Sequence, residues 1–331
     1  MAGVLVAPDS FKGTFTAAEV AGAMARGVSE VNEGREPRVD VDQCPVADGG
    51  EGTAGVLMKT LGGRYLSAPA SDPLGGRIEA GFVLLGDGET AVVETAAASG
   101  LTLVAEGERD AVVASTYGTG ELVVAAVCSG ATRILLAVGG TATTDGGRGA
   151  IEAIESNGGL RGAEMVVLAD VETTFEKAAD IFAPQKGASP DQVELLTRRL
   201  IEIAADFPRA PLGMARMGAG GGIAGGLWAS FGAEVVSGAD QVLEAIDFDR
   251  RLSLADCVLV GEGRLDRQSL EGKIVGNILE RSKRAEVPCH AVVGHCRLNE
   301  DEIKQAGFAS VQTAPLLKEV QAAAGNLPPA T

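Results

Sequence analysis

Along this chain, short apolar runs keep stopping at glycine-rich loops and giving way to segments of helical period. "VLVA" (4–7) leads through "PDSFKGTF" into an amphipathic stretch from Thr16 to Glu30. "RVDVDQCPV" (38–46) leads through "ADGGEGT" into a helical segment ending near Leu61. A β-α-β-α opening of this kind needs crossover helices and predicts a parallel sheet. From Arg64 to Glu94 the pattern changes. "RYLSAPA", "RIEAGFVLL" and "TAVVET" follow one another across tight glycine turns with no room for helices, which is hairpin or meander material. A helix is then predicted from Ala114 to Cys128, a strand at "MVVLAD", and a largely helical region over 190–248. After Asp256 the first order returns: "CVLVGEG", a helix from about Gly272 to Arg284, "CHAVVGH", and a last strand near "FASVQT". The order predicts one α/β domain interrupted by another. Residues 1–62 and 255–331 would form a discontinuous parallel-sheet domain, and 63–254 an inserted mixed α/β domain.

Composition narrows the function classes. Of 331 residues 46 are glycine, roughly twice the usual share, and they cluster in discrete loops rather than in a repeat. A net charge of −17 offers no basic stripe for nucleic acid, and an anionic substrate must be met by local cations or a metal. Five cysteines without a CxxC pair suit a reducing compartment. No apolar run reaches membrane-spanning length, and the first residues lack the basic start of a signal peptide, so a cytoplasmic protein is expected. His290 and His295 are the only histidines, too few for a histidine metal cage.

The loops that follow the apolar runs hold the polar residues, and in open α/β sheets ligands sit beyond the carboxyl ends of the strands. In "APDSFKGT", Asp9, Ser10 and Lys12 precede a helix; Lys12 either reaches a phosphate or carboxylate, or is a solvated lysine beside an Asx turn. In "VADGGEGT", Asp48 and Glu51 either hold Mg²⁺ or cap the helix that Thr53 opens. "GGTATTDGG" (139–147) is a phosphate loop or a structural turn; it is neither a Walker A sequence nor a GxGxxG fingerprint. "GMARMGAGGGIAGG" (213–226) reads better as close packing than as a phosphate cradle. "GEGRLDRQSLEGK" (261–273) is the richest: Arg264 suits a carboxylate, Asp266 or Glu262 a base or metal ligand, and Lys273 a phosphate. "FAPQKGASP" (182–190), read alone, is an ordinary turn before a helix.

Taken in order, "APDSFKGT", "CPVADGGEGT", "ETAAASGL", "STYGTGEL", "GGTATTDGG", "FAPQKGAS", "GAGGGIAGG" and "GEGRLDRQSLEGK" resemble the bacterial type I glycerate kinase family, the glycerate 2-kinases. The resemblance spans nearly the whole chain. It implies ATP- and Mg²⁺-dependent phosphorylation of D-glycerate to 2-phosphoglycerate, by two different α/β domains, one Rossmann-like and three-layered, with the active site in the cleft. The resemblance places these motifs along the cleft, and within that reading the chemistry of the residues makes Gly139, Gly140, Gly146 and Gly147, with Thr141, Thr143 and Ser10, the ones expected to handle nucleotide phosphates. Lys12 and Lys273 offset the charge of the transferring group, and Arg264 takes the substrate carboxylate. Asp48, Asp145 and Asp170 are the candidates for Mg²⁺, directly or through water. Asp266 is the expected base, with Asp170 as its alternative. A kinase for another small hydroxy acid, a 3-phosphoglycerate-forming enzyme and an inactive binding homologue remain as other readings.

The sequence also departs from the family pattern. Thr141 and Thr144 stand where Ser and Asn are usual, both polar exchanges. The stretch between Gly147 and the strand ending at Asp170 is shorter by a few tens of residues, Asn-Pro-Leu is missing after that aspartate, and the C-terminal stretch is short. The fold is expected to survive these changes.

Overall fold

A computed structural model describes residues 2–33, 39–270 and 272–326. Among them the strands run β1 (Ala2–Pro8), β2 (Val39–Gln43), β3 (Gly63–Ser71), β4 (Arg77–Leu85), β5 (Thr90–Glu94), β6 (Arg133–Ala137), β7 (Glu164–Leu168), β8 (Glu234–Val236), β9 (Cys257–Leu265), β10 (Cys289–Cys296) and β11 (Ser310–Thr313). They form two sheets, ordered β11-β10-β9-β1-β2 and β3-β4-β5-β6-β7-β8. The chain groups into two compact units, Met1–Asp48 with Ala239–Thr331, and Gly49–Gly238. These divisions fall at 48/49 and 238/239, not after residue 62 and before 255 as the sequence suggested. Helix Thr53–Leu61 packs on β4 and β5. Asp240 and Asp249, from the short helices Gly238–Ala245 and Phe248–Ser253, pair with Arg281 at 2.9 and 2.6 Å.

The first unit is built on an all-parallel sheet. Its central strands are apolar without alternation, because crossover helices demand burial on both faces. Leu5, Val6 and Ala7 of β1, Val258 to Val260 of β9 and Ala291 to Val293 of β10 are completely buried. Edge strand β2 alternates instead, carrying Asp40 and Asp42 outward. The predicted run 38–46 is longer than β2; Arg38 lies outside the described residues, while Cys44 and Val46 still donate to the Val6 and Pro8 carbonyls. Helix Ala17–Val31 starts at a capping box in which Thr16 and Glu19 satisfy each other's backbone amides. Its Gly27 lets helix Leu317–Gly325 come close, since a Cβ there would lie 1.8 Å from the Gln321 carbonyl.

Chain order runs outward from β1 to β2, then returns to place β9 on the other side of β1. That reversal is a topological switch point, where loops leaving the two strands diverge and open a crevice. The loops in question carry Asp9 to Lys12 and Arg264 to Lys273.

The second unit is the mixed one. β3, β4 and β5 are antiparallel, and β5 to β8 run parallel. The hairpin between β3 and β4 is closed by Asp72, whose Oδ1 accepts from the Leu74 and Gly76 amides at 2.8 Å. Helices Tyr117–Cys128 and Arg148–Ser156 pack so closely that a Cβ on Gly120 would lie 2.5 Å from the Ala150 carbonyl. Where the sequence reads short, helix Arg148–Ser156 reaches β7 through a turn with Gly158, Gly159 and Gly162 all at positive φ. Three glycines in the left-handed region reverse the chain without a longer connection.

Candidate active site

In the first unit, a cavity of about 520 Å³ opens at the switch point. Asp9, Ser10 and Lys12 come to it from the end of β1, Asp48 from beyond β2, Glu262 and Arg264 from β9, and Lys273 from the start of the next helix. Ligand cavities span roughly 300–1,000 Å³, so this one exceeds what a three-carbon acid alone would fill. Gly263 and Gly294 make the room: a Cβ on Gly263 would lie 3.3 Å from the Phe11 backbone, and one on Gly294 2.5 Å from the Gly263 carbonyl.

Charge is distributed unevenly around this cavity. Lys12 Nζ pairs with Asp48 Oδ2 at 2.8 Å, with 65% of the lysine side chain exposed and 15% of the aspartate's. Burial works against the Lys12 charge, but the Asp48 and Asp9 carboxylates outweigh it and hold the ammonium above its ordinary value. Asp9 is 6% exposed and takes the Ser10 amide at 2.6 Å. Burial first, and Asp48 second, push its carboxyl up to about 7 against the pull of Lys12. Burial likewise pushes Glu262 up to about 7. Its Oε2 accepts from Ser269 Oγ at 3.0 Å, and its Oε1 is buried without a hydrogen-bond partner.

Asp266 is held differently from what a base requires. Oδ1 accepts from the Gln268 and Ser269 amides at 3.0 and 3.3 Å, capping the short helix Arg267–Leu270, while Oδ2 lies 3.2 Å from Arg264 Nε. It is not among the residues lining the cavity. Its geometry fixes the direction of Arg264, whose side chain is 56% exposed.

In the second unit, the Gly139–Gly147 loop leaves β6 at the carboxyl end of the parallel strands. Gly140, Gly146 and Gly147 have positive φ, and Gly139 lies against the Gly50 backbone, where a Cβ would be 2.9 Å away. The glycines at 218–226 serve packing. A Cβ on Gly221 would lie 2.0 Å from the Thr143 carbonyl, and one on Gly226 2.1 Å from the Gly146 carbonyl. Thr141 is 5% exposed, and Thr143 and Thr144 are completely buried with Oγ1 atoms that find no partner.

Asp145 lies in the same loop but faces inward. At 4% exposure, its Oδ2 accepts from the Thr116 amide and hydroxyl at 2.8 Å and from the Gly149 amide at 3.2 Å. Its Oδ1 accepts from the Gly147 amide at 3.1 Å. Four donors leave it little capacity for a metal. Asp170 accepts from Ser237 Oγ at 3.0 Å. Among the described residues no three His, Cys, Asp or Glu side chains converge as a metal cluster. Mg²⁺ carried on a nucleotide needs only one or two carboxylates besides phosphate and water. Asp48, on the cavity wall, fits that lesser demand; Asp145 does not.

Two residues in these units carry roles the loop-by-loop reading did not give them. The helix at Thr53 is capped by Glu94, not Asp48 or Glu51: Glu94 Oε1 accepts from the Gly52 and Ala54 amides at 3.0 and 2.8 Å. Lys186, expected in an ordinary turn, is 3% exposed and donates to Thr141 Oγ1 at 3.1 Å and to the Thr143 carbonyl. Burial brings its ammonium down to about 7, with Asp145 opposing. The hint in the sequence was the membership of "FAPQKGAS" in the ordered motif set; its composition alone gave none.

Comparison with known proteins agrees with the motif order. The sequence profile of the glycerate kinase family matches residues 4–158 and 154–327, two stretches that meet where the chain reads short. The chain is 36% identical to a glycerate kinase of Bacillus subtilis (strain 168), across 92% of this chain and 88% of that protein. It is 33% identical to the glycerate 2-kinase of Escherichia coli (strain K12), across 93% and 89%. A crystal structure from Salmonella typhimurium LT2, provisionally named glycerate kinase 2, superposes with a TM-score of 0.81 at 31% identity, covering 98% of this chain and 96% of that one. The chain therefore belongs to the glycerate kinase family.

Proposed function

We propose that this protein is an ATP-dependent kinase that phosphorylates D-glycerate to 2-phosphoglycerate. The observation that carries the reading is the cation-and-acid cavity at the β1/β9 switch point, in a chain of this family. Phosphoryl transfer asks a protein mainly for positioning and for neutralisation of charge. Lys12 and Lys273 supply positive charge on the cavity wall, and Arg264, aimed by Asp266, supplies a planar fork for the substrate carboxylate. The Gly139–Gly147 loop, with Thr141 and Thr143, handles nucleotide phosphates. Mg²⁺ bound with a nucleotide would offset phosphate charge, and Asp48, on the cavity wall, would be a carboxylate to hold it.

The base that takes the substrate hydroxyl proton is then the Glu262 carboxylate rather than Asp266. Glu262 is a lining residue of the cavity and one of its oxygens has no partner, whereas both oxygens of Asp266 are engaged. Glu262→Gln is expected to lower kcat by about 100-fold, with KM for glycerate little changed. A variant with wild-type kcat returns the role to another group.

The reaction itself is tested by incubating the protein with Mg-ATP and D-glycerate and reading the product through enolase. Prompt signal without added mutase is the expected result, because enolase consumes only the 2-phosphate. Signal that requires phosphoglycerate mutase means transfer to the 3-hydroxyl. ADP without either signal means another acceptor, and no ADP at all removes the kinase reading.

A further inference from the structure

Lys186 is a buried lysine to which the reaction outlined above assigns no step. Its turn, Pro184–Lys186, packs on helix Ala178–Phe182, whose Ala178 and Ala179 belong to an apolar core with Phe175, Leu196 and Leu200. Burying an amine in such a place is costly, and a methionine would fill the same stem volume without that cost. The polar contacts are therefore what the lysine adds. Nζ donates to Thr141 Oγ1 and to the Thr143 carbonyl, and to nothing else among the described residues.

The direction of that first bond matters. Because Thr141 Oγ1 accepts from the amine, the hydroxyl's own proton is free to point elsewhere, and it has no acceptor among the described residues. Next to it, Gly140 is exposed. The same loop carries the unpartnered hydroxyls of Thr143 and Thr144, and the Arg109 side chain, which packs against Gly187, has a buried Nε without a partner. Of these donors, the Thr141 hydroxyl beside exposed Gly140 is the one placed to meet an incoming anion.

We propose that Lys186 is a positioning residue for nucleotide phosphates, acting through Thr141 by holding that hydroxyl as an outward donor. The inference rests on the kinase reading above and deepens it. A further consequence concerns protons. A neutral amine has two N–H donors, one for each acceptor seen here. With its ammonium brought down to about 7 by burial, Lys186 is mostly neutral at pH 8. Phosphate charge near the loop favours the protonated form, so nucleotide binding draws a proton in. Of the charged groups on the elements packed against this turn, Asp145 of the loop acts on the amine, whereas Asp180 on the neighbouring helix pairs with Lys177 and Thr197, and Arg109 lies against Gly187. Only Asp145 already acts to keep the proton on.

The test is calorimetric titration of the full-length protein with MgADP at pH 8, in two buffers of different ionisation enthalpy. At that pH the nucleotide's own phosphates are already deprotonated. Wild type is expected to take up protons on binding, at most about one per nucleotide. Lys186→Met is expected to lose that uptake and to bind MgADP about tenfold more weakly, with KM for glycerate unchanged. Its melting temperature should match or exceed the wild type's, which a simple loss of packing would not give. Thr141→Val should weaken MgADP by a similar factor, and the double variant no further. Additive losses would overturn the route through Thr141. Zero uptake in wild type, or equal uptake in Lys186→Met, overturns the inference while leaving the kinase reading intact. Failure of wild type to bind MgADP at all overturns both.

Discussion

Lys12→Ala is expected to reduce kcat/KM for phosphoryl transfer by about 1,000-fold while leaving the melting temperature within a degree or two of wild type. The lysine side chain is 65% exposed, so its removal empties no core space, and its ion pair with Asp48 contributes little to folding. Its effect on the cavity is of another order. Asp9, Asp48 and Glu262 all line the space that an anionic acceptor and a transferring phosphoryl group must enter. Asp9 and Glu262 already sit near 7 because burial penalises their charge, and Lys12 is the cation that pulls Asp9 back down. Without it, each carboxylate that stays ionised repels the substrate, and no donor replaces the ammonium opposite the developing charge. Loss of one such preorganised donor typically costs about 100- to 1,000-fold in rate. Arginine is not expected to restore the rate, because a planar fork cannot occupy the point position of an ammonium beside Asp48. Steady-state kinetics with a thermal melt on the same preparation decide it. A loss below tenfold would show that Lys12 is a surface lysine paired with a convenient aspartate.

Much of this arrangement was legible in the chain because it is local. Buried strands of a parallel sheet read as unbroken apolar runs, as "VLVA" and "CVLV" do, and Thr16 with Glu19 announces a helix start within four residues. The polar loops after β1 and β9 could be named because strand ends are where α/β sheets hold ligands. The role of each side chain was harder to read. Asp266 looked like a free carboxylate among charges, yet its partners lie two and three residues along in a helix cap, a competition that spacing alone does not resolve. Glu94 caps a helix 42 and 40 residues away in sequence, so Asp48 and Glu51, being nearer, drew that expectation. Lys186 was invisible for a different reason. A lysine in a Pro-Gln-Lys-Gly turn is normally solvated, and only the packing of the helices on either side buries it beneath a loop 43 to 45 residues upstream. The expected domain division differs from the compact units by one helix at the first junction and two short ones at the second, because a helix gives no local sign of which sheet it will pack on.

Asp145→Ala is the second substitution with a large expected effect, and here the loss is of stability. Sequence reading made Asp145 a metal ligand because it sits between threonines and glycines in a loop suited to phosphate. In the folded protein it is the acceptor that ties helix Tyr117–Cys128 to helix Arg148–Ser156 across 29 residues of sequence. Alanine leaves the Thr116 amide and hydroxyl and the Gly147 and Gly149 amides buried without their acceptor. Each stranded donor costs about 1–3 kcal/mol, and with partial relief from water the sum should be about 3–5 kcal/mol. The melting temperature should fall by about 10 °C. Asparagine is expected to rescue it in part, since its oxygen can take the three donors that now converge on Oδ2 while its NH₂ is left facing the Gly147 amide. The discriminating measurement is a thermal melt without Mg²⁺. A metal ligand removed from a metal-free protein relieves repulsion or changes nothing, and its loss shows only as a raised Mg²⁺ requirement in the assay. A melt of Asp145→Ala within 2 °C of wild type, together with such a raised requirement, would return Asp145 to the metal. A collapse of the melt in the absence of metal means that this carboxylate builds the loop and that the charge on the phosphates is met elsewhere.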